Sequence, residues 1–326
     1  MRAAEQPVDP AGHPWPARLH VVTGKGGTGK TSVAAALALG LATGGRRTLL
    51  VEVEGRQGIA QLFGTDPLPY EERHLTDAPG GGEVRALAVD AEEALLEYLD
   101  MFYKLGAAGR ALRKLGAIDF ATTIAPGLRD VLLTGKVKEA TSRTRGQRRA
   151  YDAVVLDAPP TGRIGRFLNV TAETARLAKV GPIKTQSEGV AALLRSPMTA
   201  VHVVTLLEEM PVQETLDAVA ELASFGFPVG RIIVNAARPP LPTGRRATSQ
   251  AELRRGLLAA GLPADRATVA GLHTEAVDQA VRRELEETLR TELSELGRPL
   301  VELPLLPAGV DRDGLETLAA ALVRAD

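Results

Sequence analysis

The chain has 326 residues, with 39 Lys and Arg against 40 Asp and Glu, a formal net charge of -1, 44% hydrophobic residues and no cysteine. That apolar fraction excludes global disorder, and the balanced charge gives no electrostatic basis for sequence-independent nucleic-acid binding. The missing thiols exclude disulfides, thiolate catalysis and Cys-ligated zinc or iron–sulfur centres.

Residues 1–18 are Pro-rich and aperiodic, and read as a flexible N-terminal arm before one domain over 19–326. The arm lacks the apolar core of a secretion signal. Leu19 to Thr23 has the pattern of a short buried strand, and a Gly-rich turn then leads into an Ala/Leu-rich helix from Ser32 to Ala42. Gly44-Gly45 closes that helix, where a residue without Cβ is favoured. The longest apolar stretch, Val33 to Leu41, is too short to span a bilayer, so the expectation is a cytoplasmic protein that is not integral to a membrane. Thr48 to Val53 is a second strand, and similar runs recur at 84–89, 152–157, 201–206, 230–235 and 299–303. Short apolar strands alternating with helices predict an α/β fold, a mostly parallel sheet flanked by helices.

From Asp90 to about Ala140 the pattern is almost wholly helical. Asp90 and Glu93 have the spacing of a capping box, and Leu95, Leu96, Leu99, Phe102, Tyr103 and Leu105 make a wide apolar face. Gly106, Gly109, Gly116 and Pro126-Gly127 cut the region into short helices, which predicts a helical insertion over 91–147. The tracts Arg143 to Arg149 and Pro239 to Gln250 read as surface loops.

Two of only eight lysines fall in one segment, Gly24-Lys25-Gly26-Gly27-Thr28-Gly29-Lys30-Thr31. It satisfies G-x-x-x-x-G-K-[ST], the phosphate-binding loop, between a predicted strand and a predicted helix. Glycines let consecutive backbone N–H groups turn inward around phosphate oxygens, and the helix N-terminus adds partial positive charge. Lys30 would reach the β/γ-phosphates, and the Thr31 hydroxyl would ligate Mg²⁺. Gly24, Gly26 and Gly29 also satisfy the dinucleotide fingerprint G-x-G-x-x-G, with Glu52 or Glu54 as the acidic residue that reading needs. A nicotinamide site gains nothing from Lys-Thr after the last Gly, whereas a triphosphate with Mg²⁺ needs both. Val154-Val155-Leu156-Asp157 adds a carboxylate at a strand tip, where an NTPase holds the metal's water shell.

The lysine at the loop's second position resembles the deviant Walker A of the MinD/ArsA-type P-loop ATPases (the SIMIBI class). Leu156-Asp157-Ala158-Pro159-Pro160-Thr161-Gly162-Arg163 is similar to the D-T-A-P-T-G-H switch II segment of the arsenite-pump and tail-anchored-protein-targeting ATPases. Further likenesses follow in order. Thr205 to Met210 with Gln213-Glu214-Thr215 resembles that family's T-x-P-E … E-T, Ile232 to Asn235 its strand ending in an adenine-reading Asn, and Leu303 to Pro307 its P-L-L loop. The resemblance runs from about residue 18 to the C-terminus and is nearest to the actinobacterial anion-transporting-ATPase-like branch. It implies nucleotide contacts from Gly26, Gly27, Thr28, Gly29, Lys30, Thr31, Ser32, Glu208, Asn235, Pro304 and Leu305, with ATP or ADP and Mg²⁺ as the ligands. Thr31 and, through water, Asp157 would support the metal. Lys25 would act in trans across a dimer, homotypic or with a paralogous ATPase, and Glu208 would meet the nucleotide across it.

Switch I departs from the family. Its D-P-A-H stands here as Glu54-Gly55-Arg56-Gln57, so Glu54 is the candidate water-orienting carboxylate, one methylene longer than the family's Asp. Slower hydrolysis is one expectation, because positioning carries most of phosphoryl-transfer catalysis. Without cysteine, neither thiolate ligation of a metalloid nor a zinc clasp between subunits is possible. The helical insertion occupies the family's client region, and its apolar stripe reads either as core or as a surface for a hydrophobic client or membrane-protein partner. The expected function is therefore a dimerising Mg-ATP-dependent ATPase that switches a helical binding surface, membrane-associated only through a partner. A weakly hydrolysing nucleotide-binding regulatory subunit of a hetero-oligomeric complex stands second, and a nicotinamide oxidoreductase third.

Overall fold

Each apolar run of the sequence becomes a strand of one eight-stranded sheet in the computed structural model, which describes residues 15–103, 127–177, 182–238 and 249–324. The strands are β1 (Leu19–Gly24), β2 (Arg47–Glu52), β3 (Arg73–Ala78), β4 (Gly82–Ala88), β7 (Ala153–Asp157), β8 (Thr199–Thr205), β9 (Val229–Ala237) and β10 (Leu300–Pro304). Their order is β10-β9-β8-β1-β7-β2-β4-β3, and every pairing is parallel except β3 with β4. The helices are α1 (Lys30–Ala42), α2 (Gly58–Phe63), α3 (Ala91–Tyr103), α4 (Leu128–Ser142), α5 (Thr161–Leu177), α6 (Pro182–Leu194), α7 (Glu209–Ser224), α8 (Gln250–Ala259), α9 (Arg266–Glu295) and α10 (Arg312–Arg324). The central strands read as continuous Val/Leu runs because helices cover both faces.

Alternate strand residues enter two cores. Val21, Leu49, Leu156 and Val203 face a layer built from α4, α5, α6, α7 and the C-terminal part of α9. Val22, Leu50, Val155 and Val204 face α1, α2 and α10. α1 is buried from Val33 to Ala42, and a Cβ at Gly40 would lie 2.9 Å from Val323 and 3.3 Å from the Ala319 carbonyl. Small residues there let α1 sit between the sheet and α10. The helix begins at Lys30, two residues before the predicted start.

Three expectations need correction. The arm drawn at 1–18 is docked from Trp15 onward: Trp15 is 2% exposed, its Nε1 donates to the Leu322 carbonyl at 3.2 Å, and Arg18 donates to the Thr141 and Tyr151 carbonyls. One large aromatic outweighs the prolines beside it. The tract Arg143 to Arg149, read as a loop, contains a two-stranded ribbon of β5 (Thr144–Arg145) and β6 (Arg148–Arg149), turned at Gly146 with φ 63°. Strand β3 was not predicted. It is a polar edge strand, half of its residues exposed, joined to β4 through Gly80 and Gly81, so it carries no continuous apolar run.

α3 and α4 form the described part of the predicted insertion. Residues 104–126, with Leu105, Gly106, Gly109 and Gly116, lie outside the described residues, as does most of the tract Pro239 to Gln250. The side chains of Leu99, Met101, Phe102 and Tyr103 lie outside them too. Asp90 caps α3 by accepting from the Glu92 and Glu93 N–H groups at 2.9 and 3.0 Å. Leu95 packs on the core, and α4 buries Leu132, Leu133, Val137 and Ala140 in it. The base of this pair is tied to the sheet edge by polar contacts. Tyr70 donates to Glu97, which also accepts Lys136 at 2.8 and 2.9 Å. Arg143 joins Glu139 and Glu72, and Tyr151 donates to Glu72 at 2.5 Å. Burial and Glu72 push the Tyr151 phenol up to about 12. Among the described residues, six of the nine exposed large hydrophobics instead lie on the α8–α9 hairpin: Leu258, Leu262, Leu272, Val277, Val281 and Leu285. No described helix is long and apolar enough to cross a membrane.

Beneath Trp15, His20 of β1 and His202 of β8 stack with their Nδ1 and Nε2 atoms 3.0 Å apart. His202 Nδ1 accepts the Arg231 N–H at 3.0 Å, so in the neutral ring the proton sits on Nε2 and points at His20. Burial, reinforced by His20 and Arg231, drives the His202 imidazolium well below its ordinary 6.5. The unfolded chain therefore takes up this proton first, and the stability held by neutral His202 is complete above about 6.5 and lost as pH falls below it. We predict that unfolding free energy, followed by urea denaturation from about pH 7 to about pH 5, falls with pH and that His202→Asn flattens the slope. An unchanged slope would assign the acid sensitivity to other groups.

Candidate functional site

Strand β1 stops at Gly24 because the chain needs φ 156° there and a Cβ would strike the Val204 carbonyl at 2.2 Å. The next residues wrap around the Lys25 carbonyl, which accepts from the Thr28 hydroxyl at 2.9 Å and the Lys30 ammonium at 3.4 Å. Gly29, at φ 84°, precedes α1 without any side-chain cap, so the first N–H groups of the helix face the loop's interior. At Gly26 and Gly27 no atom lies within 4 Å of where a Cβ would sit. Both glycines are exposed, so the lip of the loop is bare backbone that no side chain crowds. Ser32 lies in the same first turn, half-buried.

Parallel pairing of β1 with β7 sets Val22 beside Asp157, and Asp157 Oδ2 accepts the Thr31 hydroxyl at 2.7 Å. Burial pushes the Asp157 carboxyl up to about 6, against the pull of the Thr31 hydrogen bond. Burial also lowers Lys30 from its usual value, against the attraction of Asp157 and Glu54. A half-buried cation and a buried carboxylate, each feeling the other's charge, thus lie at the start of α1 beside Thr31. The β1 side is tied to the switch II segment by the Thr23 hydroxyl, which donates to the Pro159 carbonyl at 2.7 Å.

The switch I residues lie beside this group. Glu54 keeps 15% side-chain exposure, with Arg56 Nε at 3.7 Å and Arg163 Nη1 at 3.6 Å. Gln57 holds the following loop through both amide atoms, accepting from Leu68 N at 2.7 Å and donating to Leu68 O at 3.2 Å. It does so in the left-handed region at φ 55°, a conformation a non-Gly residue adopts only when its contacts enforce it. Glu52, register partner of Asp157, is 2% exposed and accepts the Gly58 and Ile59 N–H groups at 3.3 and 3.2 Å. It caps α2, so it cannot take the ribose role of the dinucleotide reading.

Asn235, on β9, reaches the loop from the other side, where Nδ2 donates to the Thr28 carbonyl at 2.9 Å. Ala236 then turns at φ 52°, and the Ala237 carbonyl accepts the Leu305 N–H at 2.8 Å, joining the β9 and β10 ends where Pro304 and exposed Leu305 lie. Glu208 occupies the N-cap position of α7, yet it makes no side-chain cap bond and is exposed. Lys25 is engaged within its own chain: its ammonium meets Glu214 Oε1 at 2.8 Å, and Glu214 Oε2 accepts the Thr161 hydroxyl at 3.2 Å.

The tertiary structure therefore gathers Lys25, Lys30, Thr31, Asp157, Glu54 and Asn235 around one loop. Among the described residues, Glu208, Pro304 and Leu305 make no hydrogen bond or ion pair to it. Sequence reasoning gave no role to Gln57, Arg163 or Glu214, although each lies inside a quoted motif stretch, and it offered Glu52 only as the acidic residue of the dinucleotide reading. We predict that Gly29→Ala, whose Cβ would lie 2.4 Å from Asn235 Nδ2 at a positive φ, abolishes thermal stabilisation by Mg-ATP. Differential scanning fluorimetry reads this directly, and an undiminished shift would place the ligand elsewhere.

A family model for anion-transporting ATPases matches residues 17–196. ATPase BagA of Mycobacterium tuberculosis is 54% identical over 323 residues, covering 95% of this chain and 95% of that protein. ATPase GET3 of Kluyveromyces lactis is 27% identical over 249 residues, which are 66% of this chain and 70% of the relative. The arsenical pump-driving ATPase of Escherichia coli is 25% identical over 286 residues, 78% of this chain but 45% of the longer relative. With the loop, the β7 carboxylate and the parallel sheet that joins them, these matches make the chain a member of the anion-transporting ATPase (ArsA) family.

Proposed function

We propose that this protein is a dimerising ATPase that binds ATP with Mg²⁺ at the phosphate loop and uses its nucleotide state to switch a helical partner-binding surface. The observation that carries this reading is the meeting of Lys30, Thr31 and Asp157 at a loop whose glycines leave the space beside them empty.

The residues fit a magnesium–triphosphate pair. Among the described residues no group of three or more His, Cys, Asp and Glu could cage a metal, which suits an ion that takes most of its ligands from phosphate and water. Magnesium there would neutralise phosphate charge. In this reading the loop's N–H groups and Lys30 grip the phosphates, and Lys30, desolvated beside too little negative charge, gains a counter-charge. Thr31 turns its hydroxyl oxygen to the metal, with Asp157 holding the hydroxyl's proton. Asn235 keeps its Oδ1 for the adenine amino group while Nδ2 stays on the loop. Glu208, exposed and not capping α7, is free to meet a nucleotide held by a second copy. Pro304 and Leu305 flank the base. Lys25 crosses to the partner's phosphates, and Glu54 orients the attacking water.

The coupling to the helices runs through α5. Its first turn holds Thr161 and Arg163, and α4 packs along it. Asp130 in the first turn of α4 is raised by burial, and Arg163 pulls it back. A shift of the switch II turn would thereby be felt in α4.

One observation favours the slow, regulatory alternative. Glu54 sits between two guanidinium groups, and a carboxylate so engaged is a poorer water-orienting base than an open one. Steady-state ATP turnover and oligomeric state of wild type, Lys25→Ala and Lys30→Ala test both readings. Lys30→Ala is expected to lose turnover by about 100-fold or more, and Lys25→Ala to lose nucleotide-dependent pairing and turnover together. Pairing and turnover untouched by either change would overturn the leading reading. Brisk hydrolysis by the purified chain alone would remove the regulatory one.

A further inference from the structure

We infer that Glu214 is a latch that holds Lys25 inside its own chain until a nucleotide-loaded partner takes the lysine away. The inference rests on the trans role proposed for Lys25 and adds how that role is kept off in a single chain. One carboxylate oxygen of Glu214 meets the Lys25 ammonium at 2.8 Å, and the other accepts the Thr161 hydroxyl at 3.2 Å. A single side chain thus ties the phosphate loop, the first turn of the switch helix α5 and α7.

The three groups differ in how freely they can move. Glu214 stands on α7 between the fully buried Val212 and the buried Thr215, whose hydroxyl is bonded to the Pro211 carbonyl at 2.8 Å, so its backbone is fixed by the core. Lys25 sits on the open lip of the loop beside Gly26 and Gly27, where nothing crowds the backbone. Thr161 begins a helix at the end of the switch segment. Opening therefore means departure of Lys25 from a stationary carboxylate that stays bonded to Thr161.

The strength of the latch matches that task. The Lys25 and Glu214 side chains keep 30% and 35% exposure, and an ion pair in such contact with water shifts an equilibrium by about fivefold or less. A polyphosphate carrying several charges outcompetes it easily. Once Lys25 leaves, the carboxylate remains partly hydrated and keeps Thr161, so no buried charge is stranded. The latch costs the paired state little, and it masks the lysine when no nucleotide is present.

The test is sedimentation equilibrium of the full chain with magnesium and a slowly hydrolysed ATP analogue. Thermal melts confirm the fold. Glu214→Gln keeps an acceptor for Thr161 and removes the charge that holds Lys25. It is expected to tighten nucleotide-dependent self-association by about two- to fivefold. The double variant Lys25→Ala/Glu214→Gln should match Lys25→Ala alone. Glu214→Asp, too short to reach both groups, serves as a second variant and should shift association in the same direction. Association of Glu214→Gln that is unchanged or weaker, while Lys25→Ala is impaired, overturns the latch. Association of Lys25→Ala equal to wild type overturns instead the trans reading on which it rests.

Discussion

The parallel pairing of β1 with β7 is the constraint on which the rest of the site depends. It aligns Val22 with Asp157, so β7 ends in a carboxylate two residues before β1 runs into the glycine loop. The Thr31–Asp157 hydrogen bond closes the gap between them at 2.7 Å. Ligand sites in open α/β sheets lie at the carboxyl ends of strands because helix N-termini and strand tips meet there. Here β2 and β9 end at the same edge, which sets Glu52 beside Asp157 and brings Asn235 to the loop. Slipping any of these registers by one residue would turn the polar tips toward the wrong core.

The polar residues at that edge divide by burial and by what they bond. Glu52, Asp157 and Thr23 are buried and bonded to backbone or to the loop, so they set geometry. Lys25, Glu54, Arg56, Arg163 and Glu208 are more exposed and paired loosely or not at all with the loop, so they can respond to what binds. Strain marks the boundary between the two sets. Gln57 and Ala236, the two non-glycine residues with positive φ among those described, fall just after Glu54 and just after Asn235. Both are held there by short-range contacts of neighbouring segments, which is how a folded scaffold keeps an unfavourable turn in place.

The histidine pair gives β1 a second, unrelated anchor. Trp15, His20 and His202 fill the space beside the strand that feeds the glycine loop, and Arg231 lies over the indole at 4.7 Å. Burial holds His202 against taking up a proton, so this side chain adds no charge beside the strand that feeds the glycine loop. The same docking makes residues just before the sheet part of the fold, where composition alone pointed to a loose arm.

Short apolar runs separated by helical segments, with a glycine motif and an Asp at two of their ends, were enough in the amino-acid order to predict a parallel sheet, the glycine loop between β1 and α1, and a carboxylate ending β7. These features are local: a buried strand needs a continuous apolar run, and a phosphate cradle needs glycines at set spacings. Other features were settled only by packing in three dimensions. β3 is polar because it lies at an edge, and its strand character comes from β4 rather than from its own residues. The Trp15 anchor depends on α10, which lies some three hundred positions away in the chain. Glu214 meets Lys25, and Glu52 turns from a ribose candidate into a helix cap, because carboxylates are recruited by whichever donors the fold brings within reach. Sequence spacing carries no record of such encounters, since they join segments whose separation along the chain is unrelated to their distance in space.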